Sequence, residues 1–87
     1  MTTKCEKINE KIWKVLNEAM NYKKRIRIAL GESDIIVETG DAIITDNADV
    51  IDIRDNDYNF HIMIYPDDIT EIWDSYYRKM LYKKESE

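Results

Sequence analysis

Pro66-Asp67-Asp68-Ile69-Thr70-Glu71-Ile72-Trp73-Asp74-Ser75-Tyr76-Tyr77-Arg78-Lys79-Met80-Leu81-Tyr82-Lys83-Lys84 is the stretch on which the fold turns. Pro66 has the fixed φ that suits a first helical position. Asp67, Asp68 and Glu71 stand where a helix dipole favours negative charge, and Lys79, Lys83 and Lys84 where it favours positive charge. Ile69, Ile72, Trp73, Tyr76, Tyr77, Met80 and Leu81 recur at three- and four-residue steps as a wide aromatic stripe. The spacing predicts a helix over 67–84. Tyr82 falls off the stripe at 100° per residue and is expected as an exposed tyrosine able to anchor a partner.

Upstream of Pro66 the period is two. Ile62 and Ile64 alternate with His61, Met63 and Tyr65, which predicts a strand over about 58–65. Val50-Ile51-Asp52-Ile53-Arg54, Ala42-Ile43-Ile44-Thr45 and Ile35-Ile36-Val37-Glu38 are β-branched runs separated by turn residues. They predict strands at about 49–54, 42–46 and 34–38, with Thr39-Gly40 as the tight hairpin turn between the last two. Arg25-Ile26-Arg27-Ile28-Ala29-Leu30 predicts a further strand over 24–30. Before it, Ile8, Ile12, Val15, Leu16 and Ala19 form one apolar stripe, and Thr3 with Glu6 has capping-box spacing. A helix over 3–21 follows. The fold class is therefore α+β, a single domain over 1–87. An N-terminal helix, a five-stranded antiparallel twisted meander and a C-terminal helix are expected, both helices packed on the sheet.

The chain has 87 residues and a formal charge of −5. No apolar run approaches the ~18 residues of a membrane span, and Met1-Thr2-Thr3-Lys4 does not open a signal-peptide core, so a cytoplasmic protein is expected. The net charge hides a partition. Residues 1–31 carry +5, residues 32–57 carry −8 and residues 58–87 carry −2. Such asymmetry is a clue to partners.

Little in the chain points to catalysis. His61 is the one histidine, and Cys5 lies on the apolar stripe of the first helix, so zinc-ligand spacing is missing. Two glycines are too few for a phosphate-cradling loop. Asp55-Asn56-Asp57 opens like a calcium loop, yet Asn59 and Phe60 stand where that loop needs a further ligand and glycine. No enzyme activity, metal or cofactor is expected.

The acidic middle is more informative. Turn chemistry explains several aspartates, but Asp52 alternates with Ile51 and Ile53 in mid-strand and must face outward. Asp46, Asp49, Asp52, Asp55 and Asp57, with Glu38 and Asp41 on the neighbouring hairpin, are the expected partner contacts. Neighbouring strands ~4.8 Å apart can space carboxylates like a phosphate row, so a basic channel can accept such a face in place of DNA. In length, acidity and α/β plan the chain resembles small phage-encoded inhibitors of bacterial defence of the anti-CRISPR type. That resemblance implies a non-enzymatic stoichiometric inhibitor that occupies the nucleic-acid-binding surface of a nuclease, inside the host bacterial cell. Direct nucleic-acid binding is not expected on this reading, and a homodimer is compatible with it. Ile53-Arg54-Asp55-Asn56-Asp57 is also similar to the end of the second Sm-like motif, but Asp55 replaces the glycine after the arginine and the first motif is missing. The alternative reading is a small regulatory or oligomeric nucleotide-binding protein. It would use the cationic face of Lys4, Lys7, Lys11 and Lys14 on the first helix with Arg25 and Arg27 on the first strand.

Overall fold

A computed structural model describes residues 4–47, 50–55, 57 and 60–84, with helix side chains from Glu10 onward. Helix α1 (Lys4–Asn21) is followed by β1 (Arg25–Ala29), β2 (Asp34–Glu38), β3 (Ala42–Asn47), β4 (Val50–Asp55) and β5 (His61–Ile64). A single 3₁₀ turn (Pro66–Asp68) leads to β6 (Glu71–Asp74) and β7 (Lys79–Lys83). The strands form two antiparallel sheets, one ordered β2-β1-β6-β7 and the other β3-β4-β5.

The expected meander of five strands between two helices is thus replaced by one helix and seven strands in two sheets among the described residues. The predicted helix over 67–84 is the error that matters. Thr70, Ile72, Trp73, Tyr76, Tyr77 and Tyr82 are β-branched or aromatic, the residue types that suit a pleated surface. Asp74 and Ser75 stand at the middle of the stretch, where a turn can form. Ile72 pairs with Ile28 of β1 on one side and with Tyr82 of β7 on the other. A register shift between Ile72 and Trp73 lets one extra residue of β7 into the ladder. Tertiary pairing supplies β1 with a second neighbour, which a helix could not do.

The second correction concerns Thr39-Gly40. The expected hairpin between 34–38 and 42–46 does not form. β2 pairs with β1, β3 pairs with β4, and residues 39–41 turn the chain from one sheet to the other. Gly31, with φ 87°, is the glycine in the left-handed region. It follows Leu30, whose N–H bonds Ser33 O at 2.7 Å, in the two-residue hairpin loop between β1 and β2. Strand β5 begins at His61 with Phe60 before it outside the strand, while residues 58 and 59 of the expected strand and Thr3 of the expected capping box lie outside the described residues.

The inner faces of both sheets and α1 share one core. Ile26, Ile28, Val37, Ile72 and Tyr82 come from the four-stranded sheet, and Ile44, Ile51, Ile53 and Ile64 from the three-stranded sheet. Ile12, Leu16 and Ala19 of α1 complete it, with α1 lying against the 3₁₀ turn and β7. Each buried isoleucine contributes about 1.5–3 kcal/mol of transfer free energy. Among the described residues no helix is long and apolar enough to cross a membrane.

One corner of this core is polar. The Lys23 N–H bonds Met20 O and the Lys24 N–H bonds Ala19 O, the pair of bonds that ends a helix in a Schellman motif. Lys23 holds the left-handed position of that motif, φ 52°, where glycine is usual. Buried Thr39 shares its one hydroxyl proton between Lys24 O at 2.6 Å and Ala19 O at 3.1 Å. The end of α1 is thereby tied to the crossover between the sheets.

Candidate functional site

The charge partition of the chain is re-sorted by the two sheets. The three-stranded sheet with its 3₁₀ turn, residues 42–68, holds seven aspartates against Arg54. Asp34 and Glu38 also belong to the acidic middle of the sequence, but β2 carries them into the other sheet. There Glu38 pairs with Arg25, and Asp34 Oδ2 lies 3.9 Å from Arg27 Nε.

The expected acidic contacts occupy separate places. Asp41 and Asp46 are exposed, as is Asp57. Asp46 lies opposite Ile51, while Asp55 lies opposite Ala42 at the other end of β3 and β4. Four residues of strand separate those ends by about 13 Å. Asp55 Oδ1 accepts the Phe60 N–H at 3.1 Å, so this carboxylate closes the loop between β4 and β5. Asp49 lies outside the described residues. The outward position of Asp52 now has an explanation. Asp52 is paired with Met63 and Arg54 with His61, which places Asp52 and His61 diagonally on the outer face, and Asp52 Oδ1 meets His61 Nε2 at 2.6 Å. Among the described residues Asp46 therefore stands at one end and Asp41, Asp55 and Asp57 at the other, with a mixed outer face of Thr45, Asp52, Met63, Ile43, Arg54 and His61 between them.

Tyr82 is corrected outright. It is 8 % exposed, because β7 points it at the core opposite Ile72. Of the alternative basic face, Lys11 and Lys14 are exposed on α1, and the Lys4 and Lys7 side chains lie outside the described ones. Arg25 and Arg27 belong to the outer face of the four-stranded sheet. Arg27 lies over the Trp73 ring, 5.4 Å from its centroid, in a row Ile36–Arg27–Trp73–Met80 across all four strands.

Sequence reasoning missed a further surface, at the end of the four-stranded sheet where α1 stops and β6 turns into β7. Asp74, 2 % exposed, accepts the N–H groups of Tyr76 and Tyr77 on Oδ1, both at 3.0 Å. Lys24 Nζ lies 3.5 Å from its other oxygen and 5.9 Å from the Tyr22 ring centroid. The Tyr77 N–H, seconded by the Tyr76 N–H and Lys24, holds the Asp74 carboxyl below its ordinary range against the opposing pull of burial. This clamp displays Tyr76 and Tyr77 edge to face, ring centroids 4.9 Å apart, 80 % and 75 % exposed, with Tyr22 at 71 %. The sequence signal was the pair Asp74-Ser75, an Asx-turn start inside an aromatic run, which the helical stripe concealed.

Among the described residues no three His, Cys, Asp or Glu side chains come together as a metal site. No family model matches the chain, and neither the curated proteins nor the solved structures searched contain a match.

Proposed function

We propose that the chain is a non-enzymatic binding protein, a stoichiometric inhibitor that covers a basic nucleic-acid-binding surface of a partner protein. The observation that carries this reading is the sorting of charge: seven aspartates and one arginine in the segment that builds the three-stranded sheet. The structure alters how such a surface would work. Two acidic ends about 13 Å apart replace a continuous row, so the partner needs two basic clusters at that spacing. Asp46 serves one end, and Asp41 with Asp57 the other. Carboxylates of this kind steer association, and their attraction fades as salt rises.

The test is capture of a basic nucleic-acid-binding protein from the source cell on the tagged chain, with release by added DNA. The D41N/D46N/D57N variant changes only exposed side chains and is expected to keep the fold, which its thermal unfolding checks. It is expected to lose the partner and its inhibition. A variant that binds and inhibits like the parent would show that the acidic ends are solubilising only.

A further inference from the structure

We infer that the end of the four-stranded sheet bearing Tyr22, Tyr76 and Tyr77 binds single-stranded nucleic acid, its rings stacking on unpaired bases while Lys23, Arg78 and Lys79 hold phosphates. This site borders the acidic surface at Asp41 and does not rest on the reading of that surface.

Three observations converge there. First, the three most exposed large aromatic side chains among the described residues are these tyrosines, and their placement is linked. Lys24 touches both the Tyr22 ring and Asp74, Asp74 holds the turn that carries Tyr76 and Tyr77, and the Ser75 N–H bonds Arg25 O at 2.9 Å. Every base offers a π-face, so a rigid tyrosine platform recognises a strand without reading its sequence.

Second, the end is cationic. Lys24 and Arg25 are answered by Asp74 and Glu38, but Lys23, Arg78 and Lys79 are exposed and make no ion pair among the described residues. Two exposed acids adjoin it, Asp41 on the turn whose Gly40 packs beside Lys23, and Glu18 one helical turn before Tyr22, so the excess of positive charge is small. Elsewhere the seven aspartates of residues 42–68 repel a phosphate chain, which leaves this end as its landing place.

Third, the two non-glycine residues with positive φ among those described are Lys23 at 52° and Arg78 at 54°, and both are cations of this end. Glycine would serve both turns with less strain. A long charged side chain stands at each strained position, where it can reach a phosphate that glycine could not. The bases of a duplex are already stacked on one another, so rings that need free π-faces select the single strand.

Fluorescence anisotropy with a labelled oligothymidylate of about ten nucleotides reads the binding directly, with the matching duplex as comparison. Saturable binding at low salt is expected, weaker for the duplex and falling as salt rises. Y76A and Y77A should each weaken it by at least about fivefold. K23G and R78G should weaken it and flatten the salt dependence, while their melting temperatures hold or rise, so that lost binding cannot be ascribed to lost folding. D46N/D57N should leave oligonucleotide binding unchanged or tighter, which separates this site from the acidic one. Absence of saturable binding, preference for the duplex, or tyrosine and cation variants that bind like the parent would each overturn the inference. So would a parent that ignores the oligonucleotide but loses a protein partner on Y76A/Y77A substitution.

Discussion

Asp74→Ala is the perturbation that probes the most of this structure at once. Asp74 points inward at the edge of the core, 2 % exposed, where an isolated carboxylate would be costly. It persists because two backbone N–H groups at 3.0 Å and Lys24 at 3.5 Å answer it. Hydrogen bonds to a charged acceptor contribute about 1.5–3 kcal/mol each. The freed N–H groups of Tyr76 and Tyr77 sit on an exposed turn and regain water, as does Lys24, which favours the low end. A loss of about 2–3 kcal/mol follows, against a total of roughly 4–13 kcal/mol for a domain of this length. Tm should fall by at least about 8 °C. Asp74→Asn keeps the oxygen acceptor and removes the charge, so it should cost less, about 1 kcal/mol.

The pH dependence supplies a second readout. The folded carboxyl titrates below its unfolded value of about 3.9. The unfolded chain therefore binds more protons in that window, and the contribution of Asp74 is complete above about pH 4 and lost as pH falls through the folded value. Urea titrations followed by tryptophan fluorescence at neutral and acid pH test both points. The gap between parent and Asp74→Asn should close in acid. A D74A protein within about 0.5 kcal/mol of the parent, or a D74N gap that ignores pH, would refute the clamp.

Two further expectations concern the same corner. Lys23→Gly relieves a left-handed lysine at the Schellman position and should raise stability by about 0.5–1 kcal/mol, once the greater backbone entropy of glycine is deducted from the strain relieved. Thermal unfolding measures it, and a fall in Tm would show that the lysine side chain itself supports the fold. Thr39→Val removes a hydroxyl whose two acceptors keep their backbone donors, Thr39 N–H to Lys24 O and Lys24 N–H to Ala19 O, so a loss near 1 kcal/mol is expected, with Thr39→Ser largely restoring it. Equal stability of the valine and parent proteins in urea would remove the hydroxyl from the account.

Much of the first two thirds of the fold was legible. The strand expected at 34–38 matches β2, and the helix expected over 3–21 matches α1 within a residue of its described start. Both are governed by a single clear period with turn residues outside it. Residues 67–84 satisfy a helical stripe and also contain two short stretches, Glu71–Asp74 and Lys79–Lys83, rich enough in β-branched and aromatic residues to serve as strands. Local pattern cannot choose between them, because the choice rests on whether β1 has a free edge to pair with. The crossover at residues 39–41 posed the same difficulty. A turn between two strands looks alike whether the strands pair with each other or part into different sheets.

The candidate surfaces divide along the same line. The excess of acid was countable, but strand pairing decided that Asp34 and Glu38 would leave for the four-stranded sheet and that Asp52 would meet His61. Tyr76 and Tyr77 were read as part of a packed stripe, and the turn anchored by Asp74 put them in solvent.

By itself the sequence determined the inventory of its first three quarters: an amphipathic first helix, five strands in order, and an acidic middle. Those properties come from local spacing and composition, which act over a few residues. Tertiary structure alone decided the partition into two sheets, the burial of Tyr82, and the gathering of Tyr22, Lys23, Asp74 and Arg78 at one end. Those outcomes depend on which strand edges find partners at long range, a competition that residue spacing does not record.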